Sequence, residues 1–127
     1  MLECKREVEE HFAVTLRDCE EPQFLSYRVG DFFVAHQDGN TGMMRLAQED
    51  RRVSVVIFLS RQSTVPEDGA YCGGSLVFHD WRPGPRREED LSLAGEVGTL
   101  VAFKSETTHE VTPVTHGERF SIASWYL

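Results

Sequence analysis

Residues 53–60, VSVVIFLS, are apolar at almost every position and rich in β-branched side chains, the mark of a strand buried on both faces. Around it the chain breaks into short apolar runs divided by turn-type residues. QFLSYRV (23–29) and FFVAH (32–36) flank Gly30-Asp31, and SLVFHD (75–80), GTLVAF (98–103), THEVTPV (108–114) and ERFSIASWY (118–126) follow. The intervening stretches GNTGMMRLAQEDRR (39–52), RQSTVPEDGAYCGG (61–74) and WRPGPRREEDLS (81–92) read as loops. Only residues 2–12 suggest a helix, through a stripe of Leu2, Val8 and Phe12. About seven short strands and little helix predict an all-β fold, a sandwich or barrel of antiparallel sheets. No internal repeat or low-complexity segment interrupts it.

Length and charge narrow the class. A chain of 127 residues has room for one core, so 1–127 is expected to form a single domain. Its net charge of −8 argues against nucleic-acid binding, which needs a basic footprint. The two basic pairs, Arg51-Arg52 and Arg86-Arg87, are flanked by acids and read as solvated loops. Cys4, Cys19 and Cys72 are odd in number and lack metal-binding spacing, so free thiols in a reducing compartment are expected. The charged start MLECKREVEEHF has no apolar core of a signal peptide, and no run approaches a membrane span. A soluble, cytoplasmic protein without nucleic-acid or membrane partners is the expectation.

Candidate chemistry begins in VAHQDGN, residues 34–40. In an extended strand, side chains two apart share a face, so His36 and Asp38 can reach one ion while Gln37 points away. Taken alone, the pair is better read as a polar strand end. Of the other histidines, His109 stands out because it opens the last predicted hairpin. If that hairpin turns at Thr115-His116-Gly117, His109 lies opposite Ala123, Val111 opposite Ser121, and Pro113 opposite Arg119. His109, Arg119, Ser121 and Trp125 would then share one wall. Arg119 would sit about 13 Å along the strand from His109, a gap that its side chain and a small dicarboxylate can bridge. An inward arginine needs an anion, and a carboxylate held by its planar fork is the natural one. Two histidines and a carboxylate make the facial triad of non-haem Fe(II) oxygenases, with positions left open for co-substrate and oxygen.

The ordered set YRVGDFFVAHQD, RRVSVVIFLS, GGSLVF and GTLVAFKSETTHEVTPVTHGERFSIASWY resembles the 2-oxoglutarate- and Fe(II)-dependent dioxygenases, particularly their prolyl-4-hydroxylase-like branch, over roughly residues 23–127. The resemblance implies a double-stranded β-helix, or jelly roll. It implies iron ligation by His36, Asp38 and His109, and a 2-oxoglutarate carboxylate held by Arg119. Tyr27 and Ser121 match hydroxyl contacts to the co-substrate, Trp125 a wall of the pocket, and Gly73-Gly74 a close approach of two strands. Implied cofactors and partners are Fe(II), 2-oxoglutarate, O2 and ascorbate as accessory reductant. The implied reaction is C–H hydroxylation of a prolyl residue in a protein or peptide, with loops 40–52 and 61–72 framing the groove. Retention of Asp38 favours hydroxylation over halogenation. A free amino acid or other small molecule is the alternative substrate, and a cupin-like metal protein without 2-oxoglutarate the alternative class. Two departures stand out. Phe58 occupies a position where relatives often carry a co-substrate tyrosine. The segment before His36 is short, which suggests missing supporting helices and an exposed sheet face favouring a homodimer.

Overall fold

The computed structural model describes residues 4–39, 51–79 and 91–127. Among these residues one helix, α1 (Lys5–Phe12), precedes eleven strands. These are β1 (Gln23–Tyr27), β2 (Phe33–His36), β3 (Val53–Phe58), β4 (Arg61–Gln62), β5 (Ala70–Gly73), β6 (Leu76–Phe78), β7 (Leu91–Leu93), β8 (Leu100–Lys104), β9 (His109–Val111), β10 (Val114–His116) and β11 (Arg119–Tyr126). They form one sheet ordered β1-β11-β3-β8, a second ordered β2-β9-β6-β7, and a small third ordered β10-β5-β4. The architecture is the double-stranded β-helix that the family resemblance implied, and its mostly antiparallel sheets agree with the all-β strand pattern.

The apolar run 53–58 earns its place at the centre. β3 lies between β11 and β8, and its alternate residues face two different cores. Val53 and Val55 join Val8, Leu16 and Tyr126 beneath α1, with Phe12 and Ile57 packed alongside. Phe58 belongs to the other cluster, with Tyr27, Leu76, Phe78, Phe103, Val111 and Val114, and Val56 packs against it. A strand covered on both sides has no polar face, which is why its sequence shows no alternation. Val8 is buried and Phe12 partly buried on the inner face of the helix, whereas Leu2 lies outside the described residues, as do 40–50 and 80–90 with Arg86 and Arg87.

Three expectations need correction. β9 and β11 are not hairpin partners: β9 pairs with β2 and β6, and β11 with β1 and β3. Ala123 faces Gln23 and Val56, and Ser121 faces Leu25 and Phe58. Second, the stretches read as loops contain strands: β4 and β5 within 61–74, and β7 at 91–93. Third, His116 ends β10 instead of sitting in a turn, and it bonds the Glu67 carbonyl at 3.1 Å.

Candidate metal centre

His36 and His109 are cross-strand neighbours in the β2–β9 pair, so their rings stand side by side with centroids 4.3 Å apart. Each ring is oriented from behind. The Nδ1 atoms lie 2.7 Å from the Val34 carbonyl and 2.9 Å from the Thr107 carbonyl, and carbonyls only accept. Both imidazoles therefore carry their proton on Nδ1 and present Nε2 as a lone pair when neutral. Those Nε2 atoms lie 3.0 Å and 3.4 Å from Asp38 Oδ1.

Asp38 sits just past the end of β2. It is fixed there by its own N–H and that of Gly39, both donating to the Ser105 carbonyl at 2.9 Å. Its second oxygen, Oδ2, accepts from Ser54 Oγ at 2.6 Å and from Trp125 Nε1 at 2.9 Å. Burial by itself pushes this carboxyl's pKa up. The His109 and His36 rings in their protonated forms, together with the Ser54 hydroxyl, outweigh that and hold it well below the usual carboxylate range. Burial likewise pulls the His36 pKa down, but Asp38 and the Val34 carbonyl raise it above its ordinary value.

The ligand atoms of the three residues all lie within 4.8 Å of one another. Two imidazole lone pairs and an ionised oxygen converging on one point form an electrostatically poor cluster until a cation or a shared proton sits between them. The set fits Fe(II): mixed nitrogen and oxygen donors on one side, with a backbone carbonyl behind each ring and two donors on the far carboxylate oxygen.

Beside this cluster lies a cavity of about 690 Å³ whose lining includes His36, Asp38, His109, Tyr27, Arg119, Ser121 and Trp125. Every residue expected to hold the metal or the co-substrate meets there. The walls differ from the expected arrangement, however. His109 comes from the β2-β9-β6-β7 sheet and Arg119, Ser121 and Trp125 from the odd-numbered face of β11 in the other sheet, so they line one cavity from different sheets. Gln37 is among the residues lining the cavity, but its side chain turns from the histidines to donate to Thr108 Oγ1 at 3.2 Å, as expected for the residue between His36 and Asp38. None of residues 61–72 lines this cavity.

Arg119 is only 2% exposed. Its Nε donates to the Gly74 carbonyl and an Nη to Ser121 Oγ, both at 2.9 Å, and its guanidinium lies 5.1 Å from the Tyr27 ring and 5.6 Å from the Phe58 ring. No carboxylate among the described residues forms an ion pair with it. Burial lowers its pKa, an effect that Tyr71 and Tyr27 partly oppose. A buried cation held by neutral groups, with donors to spare, is an anion receptor. The Gly73-Gly74 pair serves it. A side chain on Gly74 would lie 3.0 Å from Arg119 Cδ, and one on Gly73 would collide with the Pro113 carbonyl.

Sequence reasoning missed Ser54 and Arg51. Ser54 looked like one polar residue in an apolar strand, and that isolation was the available signal. Arg51 is no solvated loop residue. It pairs with both oxygens of Glu20, its guanidinium lies 3.8 Å over the Trp125 ring, and it lines the cavity.

Fold and site together define a double-stranded β-helix with a two-histidine, one-carboxylate centre. Residues 22–127 match the family model of the 2OG-Fe(II) oxygenase superfamily, and the chain belongs to that family. Members use Fe(II) and 2-oxoglutarate. A PKHD-type hydroxylase of Shewanella oneidensis is 37% identical over 109 residues, which is 82% of this chain and 41% of that protein. One of Paracoccus denitrificans is 35% identical over 106 residues, again 82% and 41%. The structure of a Pseudomonas putida prolyl-4-hydroxylase superposes with a TM-score of 0.72 at 28% identity, covering 99% of this chain and 62% of that one. The chain thus spans about two fifths of the length of the curated relatives it matches.

Proposed function

We propose that this chain carries the catalytic centre of an Fe(II)- and 2-oxoglutarate-dependent hydroxylase acting on a prolyl residue of a protein or peptide. The observation that carries the reading is the convergence of His36, Asp38 and His109 on one cavity with a buried, carboxylate-free Arg119. His36 Nε2, Asp38 Oδ1 and His109 Nε2 hold the metal. Arg119 holds the far carboxylate of 2-oxoglutarate through its planar fork, with Ser121 keeping the guanidinium in place and Tyr27 forming the ring beneath it. The chemistry supplied at such a centre is oxidative decarboxylation of 2-oxoglutarate to succinate and CO2, coupled to hydroxylation of a C–H bond. The protein's part is to orient the reactants and exclude water. Phe58 packs where a tyrosine would add a hydrogen bond to the co-substrate, so more of the anchoring falls on Arg119.

A peptide substrate is supported by the names of the relatives and by the rim of the cavity. Phe32 and Phe33 line it while 57% and 47% exposed, an apolar platform open to solvent. The described cysteines are all free, in keeping with a reducing, cytoplasmic setting. No described helix is long and apolar enough to cross a membrane.

Anaerobic addition of Fe(II) and 2-oxoglutarate to the metal-free protein should give the charge-transfer absorption of a chelated keto acid in the visible. No band, or a band indifferent to Arg119→Ala, sinks the co-substrate assignment. Proline-containing peptides should then raise succinate release above the uncoupled background. If only free amino acids or other small molecules do so, the substrate is not a protein.

A further inference from the structure

We propose that Ser54 and Trp125 are positioning residues that confine Asp38 to ligation through one oxygen, and so keep open a coordination position that a chelating co-substrate needs. The inference rests on the ligand assignment above. Ser54 and Trp125 stand directly opposite each other in the β3–β11 register, which is why donors from two strands meet on a single atom. Ser54 Oγ reaches Asp38 Oδ2 at 2.6 Å and Trp125 Nε1 reaches it at 2.9 Å. Oδ1 receives neither and faces the two imidazoles.

Both donors are themselves held. Ser54 is 1% exposed, and its Oγ lies 2.9 Å from Ser105 Oγ. Having given its proton to Asp38, Ser54 accepts from Ser105, so the hydroxyl pair points one way. Trp125 is covered by the Arg51 guanidinium, which Glu20 grips with both oxygens. The indole therefore cannot swing away from Oδ2 without breaking a second contact.

The chemical consequence follows from the lone pairs. An oxygen accepting one O–H and one N–H bond must give them up to approach a cation. A carboxylate with both oxygens free can instead chelate, taking two positions where Asp38 is allotted one. In a site where the protein supplies three ligands and a keto acid needs two positions more, a second carboxylate oxygen competes with the co-substrate. Metal affinity alone would not suffer in proportion, because the chelating oxygen replaces what is lost in orientation.

The test uses the full chain with Co(II) as the metal and calorimetry as the readout. The Kd for Co(II) is measured first, and then the Kd for 2-oxoglutarate on the Co(II)-loaded protein. In the double variant Ser54→Ala, Trp125→Phe, the 2-oxoglutarate Kd should rise about tenfold or more, the scale on which metal sites feel their outer partners. The Co(II) Kd should move by much less than the 2-oxoglutarate Kd, and Ser54→Thr, which keeps the hydroxyl, should behave as the parent. Should the double variant fail to fold, the two single variants carry the same comparison at about threefold each, half the effect on a logarithmic scale. A 2-oxoglutarate Kd that stays put, or one that rises only in step with the Co(II) Kd, overturns the proposal. A parent protein that binds no Co(II) overturns the ligand assignment beneath it.

Discussion

Arg119 carries a full charge into a place where 2% of its surface meets solvent, and the groups holding it are a carbonyl, a hydroxyl and two aromatic rings. Such an arrangement is worth keeping only if an anion completes it. Arg119→Lys preserves the charge but not the fork. It should raise the Kd for 2-oxoglutarate by about tenfold or more while leaving the Co(II) Kd unchanged, as paired titrations would show. Gly74 is a sharper case, because its role is to be small. With φ at +57° and a would-be Cβ 2.9 Å from Val114 Cγ2 and 3.0 Å from Arg119 Cδ, it leaves alanine nowhere to go. Gly74→Ala should cost roughly 1–2 kcal/mol of stability from the left-handed backbone alone. It should also weaken 2-oxoglutarate binding by displacing the guanidinium, which separates it from ordinary destabilisation. At this scale the sequence was informative. His36 and Asp38 were picked out by their spacing, His109 and Arg119 through a hairpin that does not form, and the roles of all four through the family resemblance. Ser54 was not, because a serine on a buried strand announces nothing until its partner is known.

Elements were legible where a single strand's own pattern decided the matter. The two-faced burial of β3 and the inward odd face of β11 both followed from period-two reasoning. Pairing was not legible. Neighbouring strands usually pair, so β9 and β11 looked like a hairpin. Here β10 intervenes and pairs with β5, which frees β9 to join β2 and β6. AYCGG was read as the end of a loop, since turn-type residues fill most of 61–74, yet Ala70–Gly73 is a buried strand. The outer layer offers a control for the site predictions. Leu16, 2% exposed, packs with Val8, Val53, Val55 and Tyr126 on the face of the sheet away from the cavity. Leu16→Ala should cost about 2–5 kcal/mol in chemical denaturation. Both Kd values should stay at the parent level at temperatures where the variant is folded. A loss of 2-oxoglutarate affinity in Leu16→Ala would mean that the Gly74→Ala effect is mere loosening of the fold.

For the whole molecule, the proposed metal centre is a joint between sheets. His36 and His109 stand on one sheet, and the Ser54 and Trp125 donors that hold Asp38 stand on the other. In the unfolded chain these groups are scattered along most of its length, so no comparable site exists there. A ligand that binds only the folded state stabilises it by about 2.7 kcal/mol at a hundred times its Kd. For a domain of this size that corresponds to a rise in Tm of about 10 °C. Scanning calorimetry should therefore show Co(II) raising the Tm of the parent by roughly that amount, and 2-oxoglutarate raising it further only once Co(II) is present. Asp38→Ala should lose both increments, since it removes the one anionic ligand. Arg119→Ala should keep the first and lose most of the second. If Asp38→Ala is stabilised by Co(II) as much as the parent, the ion binds elsewhere on this acidic surface. The joint between the sheets is then held by hydrogen bonds alone.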